Sequence, residues 1–138
     1  MAGVFVLVAA ASSYACTCAP SQSATAELKR AAAVFSGKVL EIKRHKEAAN
    51  LFEGVEVIFV VDRDWKGVEG TTVSVFTSSW GASCGYGFKA GRTYLVYAYE
   101  NTERRLVTSI CSRTTRLKNA REDLKQIGPG RDRRNGSD

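Results

Sequence analysis

Between positions 34 and 110, apolar residues fall in short β-branched runs separated by polar or glycine-rich stretches, and several runs alternate apolar with polar. A period of two over five to eight residues is the pattern of a strand with one buried face. It predicts strands over Val34–Ile42, Val55–Asp62, Thr71–Thr77, Arg92–Tyr99 and Arg105–Ile110. Lys43 to Gly54 is a polar connection whose length suggests a projecting hairpin loop, and Trp65-Lys66-Gly67 with Glu69-Gly70 reads as a turn. Ser78 to Gly87 is a glycine-rich loop carrying Cys84, and Glu100 to Arg104 joins the last two strands as a hairpin.

Two flanking segments have a different character. Ser21 to Ala33 opens with cap-type residues after Pro20 and continues in helix formers, and Thr114 to Ile127 places Leu117, Leu124 and Ile127 at roughly helical spacing. The order is helix, five strands, helix, with no internal repeat. The expected fold class is mainly β: five antiparallel strands of this length close most economically into a small barrel of the OB type, with N- and C-terminal helices outside it.

The 138 residues suffice for one domain with a core. Ahead of it, the apolar run Val4 to Ala11 is followed by Ser12-Ser13-Tyr14-Ala15, with small residues three before and one before a cut after Ala15. Residues 1–15 therefore read as an export signal, although no basic residue precedes the run, and the run is too short to span a bilayer. The expected organisation is a leader over 1–15, a folded domain over 16–128 and a disordered basic tail over 129–138.

Export changes the meaning of the four cysteines, Cys16, Cys18, Cys84 and Cys111. In an oxidising compartment they imply two disulfides. A Cys16–Cys18 bond would close a very small strained ring, which leaves two arrangements that join the N-terminal pair to Cys84 and Cys111. Either one staples the N-terminus to the core, each loop stabilising by roughly 4 kcal/mol on the chain-entropy account.

The net charge of +6 favours acidic partners, though part of it lies in the tail from Arg131 to Asp138. His45 stands in the charged stretch Lys43-Arg44-His45-Lys46, and Asp62, Asp64, Glu69, Glu100 and Glu103 fall at expected strand ends and turns. No acid/base pair or histidine-based metal cage emerges, so no catalytic activity is expected. Tyr94, Tyr97 and Tyr99 lie on one strand, where packing explains them better than stacking on a nucleic acid, and no nucleic-acid partner is expected.

The N-terminus carries the remaining chemistry. Cleavage after Ala15 would leave Cys16 as residue one, with a free α-amine that titrates near neutrality and a side chain tied down. That nitrogen and the Cys16 carbonyl oxygen can close a five-membered chelate on a zinc that keeps an open coordination position.

Cys16-Thr17-Cys18-Ala19-Pro20 resembles the mature N-terminus of the tissue inhibitors of metalloproteinases. Val57 to Gly67 is similar to that family's second strand and its aromatic-Lys-Gly turn, Ser83-Cys84-Gly85-Tyr86 to its connector cysteine, and Thr108-Ser109-Ile110-Cys111 to its last strand and cysteine. The resemblance runs over residues 16 to 127 and implies a netrin-like, OB-barrel inhibitory domain. It departs from the family in lacking the cysteines of a third disulfide, in having no counterpart of the cysteine-rich C-terminal domain, and in its glycine-rich loop near Cys84.

Carried over residue by residue, the resemblance implies disulfides Cys16–Cys84 and Cys18–Cys111. The Cys16 amine and carbonyl would bind the target protease's zinc, the protein having no cofactor of its own. Thr17 would enter the S1′ pocket, Cys18, Ala19 and Pro20 would continue along the primed side, and Ala82 with Ser83 would fill the unprimed side. The expected function is a secreted or extracellular inhibitor of zinc metalloendopeptidases, periplasmic if the source is bacterial, with no membrane insertion once the leader is removed. The rival expectation is a netrin-like binding or adhesion module that contacts acidic extracellular polymers through Lys38, Lys43, Arg44 and Lys46.

Overall fold

The computed structural model describes residues 16–46, 53–78 and 84–134. The expected leader and the last four residues of the expected tail lie outside them. The first element, α1 (Ala24–Arg30), is capped by Ser23, whose hydroxyl accepts from the Ala26 amide, and it ends in Lys29 and Arg30, which suit the negative end of a helix. The strands β1 (Ala33–Lys46), β2 (Glu53–Lys66), β3 (Thr72–Ser78), β4 (Thr93–Glu100) and β5 (Leu106–Val107) follow. Then come β6 (Thr115–Arg116), a 3₁₀ turn (Leu117–Asn119), α2 (Arg121–Ile127) and β7 (Arg131–Asp132). The described residues are mainly β with two α-helices.

The strand pairing closes on itself. β1 pairs antiparallel with both β2 and β4, β2 with β3, and β4 with β5, while a single parallel bridge, Phe76 with Val107, joins β3 to β5. The result is a ring in the order β1-β2-β3-β5-β4 and back to β1, with β6 added on β4 and β7 on β2. β1 serves two partners because it bends: its ladder with β2 is interrupted by bulges at three places, one of them leaving Leu40 unpaired. At Gly37 a Cβ would lie 2.8 Å from the Val60 carbonyl oxygen, so only glycine fits there.

Alternation along β1 and β4 separates two apolar clusters. Phe35, Val39, Tyr94 and Val96 point to one side, where they meet Val57, Phe59, Val61, Val75 and Phe88. Val34, Leu95 and Tyr97 point to the other, against Ala31, Leu28, Leu117, Ala120, Leu124 and Ile127. The two helices therefore cover a sheet face that would otherwise be wet, and residues 94 to 98 are buried without exception. Burying a large apolar side chain contributes about 1.5–3 kcal/mol each, so these residues account for most of the cohesion.

Four expectations are corrected. β1 and β2 run several residues past Ile42 and Asp62, because Lys43, Arg44 and His45 form the exposed part of a long ladder and Trp65-Lys66 ends a strand rather than making a turn. The rest of the expected loop, residues 47–52, lies outside the described residues. β5 is two residues long, since the chain after Thr108 turns back through Ser109 and Ser112. The helix expected from Thr114 begins only at Arg121, because Thr114 is occupied in accepting the Tyr97 amide and Thr115 pairs with Leu95. Residues 129–134 of the expected disordered tail fold back on β2, where Arg131 and Arg133 meet the buried carboxylate of Asp64.

Candidate functional site

The extended segment from Cys16 to Ser23 precedes α1, without regular secondary structure of its own. Two disulfides hold it. Cys16 is bonded to Cys84 across 68 positions and Cys18 to Cys111 across 93, with Cα separations of 5.6 and 5.1 Å. The arrangement the resemblance implies is the one present, and none of the described cysteines is free. Thr17, Cys18, Ala19 and Pro20 are exposed, while Cys16 is half-buried. The segment is an exposed strip anchored covalently at two alternate residues, Cys16 and Cys18.

The two loops that receive the disulfides are themselves joined. Ile110 donates its amide to the Cys84 carbonyl at 3.0 Å, and Cys84 adopts φ +61°, an uncommon conformation for a residue with a side chain. Behind Cys111 the chain is pinned by hydroxyls: Thr108 donates to the Tyr97 carbonyl at 3.0 Å and meets Thr114 and Ser112 at 2.9 Å. Ala82 and Ser83, assigned by the resemblance to the unprimed side, lie outside the described residues.

Two carboxylates unremarked in the sequence govern the surroundings. Asp123, in the first turn of α2, accepts from the Tyr97 hydroxyl at 2.8 Å and from the guanidinium of Arg113, whose Nε lies at 2.9 Å. Burial first, then the Asp123 contact, push the Tyr97 phenol far above its ordinary range. Glu27 on α1 pairs with Arg30 at 3.1 Å and accepts from the Tyr99 hydroxyl, and burial with this contact raises Tyr99 likewise. No local sequence signal pointed to this cluster, in which Asp123 and Glu27 meet Arg113, Tyr97 and Tyr99 from 10 to 72 positions away.

A cavity of about 300 Å³ is lined by Ala19, Pro20 and Gln22 on one side and by Glu27, Tyr99 and Arg113 on another. The remaining candidates are dispersed. His45 is exposed, 3.7 Å from Glu56, while Lys38, Lys43 and Arg44 are exposed along β1. Tyr94 faces the interior cluster, and Tyr97 and Tyr99 face the helices. Among the described residues no group of three His, Cys, Asp or Glu is placed to hold a metal ion, and no helix is long and apolar enough to cross a membrane. No family model matches the chain, and no curated protein matches it.

Proposed function

We propose that this chain is a secreted inhibitor of zinc metalloendopeptidases, built on an OB-type, netrin-like barrel and acting through a mature N-terminus at Cys16. The observation that carries this reading is the pair of disulfides on alternate residues of one exposed strip, Cys16 to Cys84 and Cys18 to Cys111. A segment ordered before it meets its partner loses little further conformational entropy on binding. Cleavage after Ala15 turns the Cys16 peptide nitrogen into an amine whose lone pair, together with the Cys16 carbonyl oxygen, ligates the protease's zinc and replaces its water. Thr17 enters the S1′ pocket, Cys18, Ala19 and Pro20 follow the primed side, and Ala82 with Ser83 occupy the unprimed side.

One alanine added before Cys16 moves the amine one residue away from the metal and leaves both disulfides in place. Inhibition of the target enzyme is expected to fall by at least a hundredfold, with the thermal midpoint unchanged. Equal inhibition by the extended and native termini would exclude chelation.

A second reading is supported by the exposed row Lys38, Lys43 and Arg44 on β1: a binding module for acidic extracellular polymers. Such binding weakens steeply with salt and is indifferent to the added alanine, so the same variant separates the two.

A further inference from the structure

We infer that Arg113 is the positioning residue of the inhibitory strip, fixing the stretch between the Cys18–Cys111 bond and the capped start of α1. This inference rests on the proposed inhibitory reading. The Cys18–Cys111 bond fixes the strip at one point, and the four residues that follow, Ala19 to Gln22, would be able to swing about it. They do not rest on a packed floor, because the cavity of about 300 Å³ lies alongside them. What holds them is a second attachment. Arg113 donates from Nη1 to the Gln22 carbonyl oxygen at 2.8 Å.

Because Arg113 follows Cys111 by two residues, the two attachments close a small loop. Residues 18 to 22 form one side, residues 111 to 113 the other, with the disulfide at one end and the Arg113–Gln22 hydrogen bond at the other. The guanidinium is not free to move. Its Nε and Nη2 are both taken by Asp123, which is 6% exposed and also holds the hydroxyl of the fully buried Tyr97. Fork-to-carboxylate pairing sets direction as well as distance, so Nη1 is aimed at Gln22 from a fixed base. The start of α1 is tied to α2 in the same way, the Ala24 amide donating to the Gln126 side chain at 3.1 Å.

The test compares Arg113→Ala and Arg113→Lys with Arg131→Ala, which removes a pair to Asp64 on the far side of β2. Two quantities are measured on oxidised protein: inhibition of the zinc endopeptidase that the parent inhibits, and the backbone NMR order parameters of Ala19, Ser21 and Gln22. Arg113→Ala is expected to weaken inhibition about tenfold through faster dissociation and to lower the order parameters of these three residues. Arg113→Lys, which keeps the charge and loses the fork, falls between the two, while Arg131→Ala lowers stability and leaves both quantities as they were. Unchanged order parameters at the three residues in Arg113→Ala, or an equal loss of inhibition in Arg131→Ala, would overturn the assignment. If the parent inhibits no zinc endopeptidase, the inhibitory reading fails by itself, and the order parameters still decide whether Arg113 orders the strip. Should Arg113→Ala not fold, Arg113→Lys answers by the same two measurements.

Discussion

Tyr97 shows how a single hydroxyl links the sheet to the helices. Its ring is fully buried under α2, and its oxygen donates to Asp123. Ionising it would place a phenolate in an apolar site beside a carboxylate, so the folded state holds this proton well above the ordinary tyrosine value of 10.0. The sign follows from linkage: the folded pKa exceeds the unfolded one, so the stabilisation is complete below about pH 10 and is lost as pH rises, because the unfolded chain releases its proton first. Tyr97→Phe is expected to cost about 1.5–3 kcal/mol at neutral pH through the lost hydrogen bond to a charged group. It should also flatten the decline in urea midpoint between pH 9.5 and 11, leaving the share due to Tyr99. A decline as steep in Tyr97→Phe as in the parent would show that this proton is not coupled to folding. The alternation along residues 93 to 100 had already placed Tyr97 in packing rather than in stacking on a ligand. Its partner was not legible, since Asp123 lies 26 positions away in a helix whose start the sequence misplaced.

Among the elements, those read well from sequence are the ones whose apolar residues decide the matter locally. The alternating run before Ser78 gave β3 to within a residue, and the buried block after Thr93 gave β4. The charged ends of β1 and β2 were missed because a solvated strand and a solvated loop share one composition, and only the ladder between Arg44 and Val55 distinguishes them. The C-terminal strap was missed for a different reason. Gly128-Pro129-Gly130 followed by four charged residues reads as disorder, and nothing local reveals that Asp64, 67 positions earlier, is buried and awaits Arg131 and Arg133. The strap is held by its backbone as much as by charge: the Trp65 indole donates to the Gly128 carbonyl at 2.9 Å, and Arg133 donates its amide to Asp62 at 2.8 Å. Gly130 lies at φ +63° so close to the Trp65 ring that a Cβ would come within 2.7 Å of it. Gly130→Ala is therefore expected to cost about 1–3 kcal/mol and to lift the strap from β2. Trypsin should then cut after Arg131 and Arg133 several-fold faster than in the parent, and unaltered cleavage would mean the strap tolerates the side chain.

At the scale of the whole molecule the weak seam of the ring and the disulfides coincide. Every other junction of the ring is a ladder of two or more residue pairs, whereas β3 and β5 share one bridge, Phe76 with Val107, extended only by the Thr108 amide bonding to the Phe76 carbonyl. Cys84 follows β3 and Cys111 follows β5, and the path Cys84–Cys16–Thr17–Cys18–Cys111 crosses between the two loops as a covalent brace. The strip proposed to enter a protease thus also links the two loops that follow the strands of this seam. On the chain-entropy account each bond constrains only the unfolded chain, by about 4–5 kcal/mol for loops of this length, and its loss lowers protection of all globally exchanging amides alike. A brace across a seam predicts something different. In Cys18→Ser with Cys111→Ser, exchange at Val107, Thr108 and Ile110 is expected to accelerate far more than at Val57, Phe59 and Val61, because the single bridge opens locally without global unfolding. Uniform acceleration would return the disulfide to the unfolded-state role. Selective acceleration would mean that this bond supports the closure of the ring within the folded state.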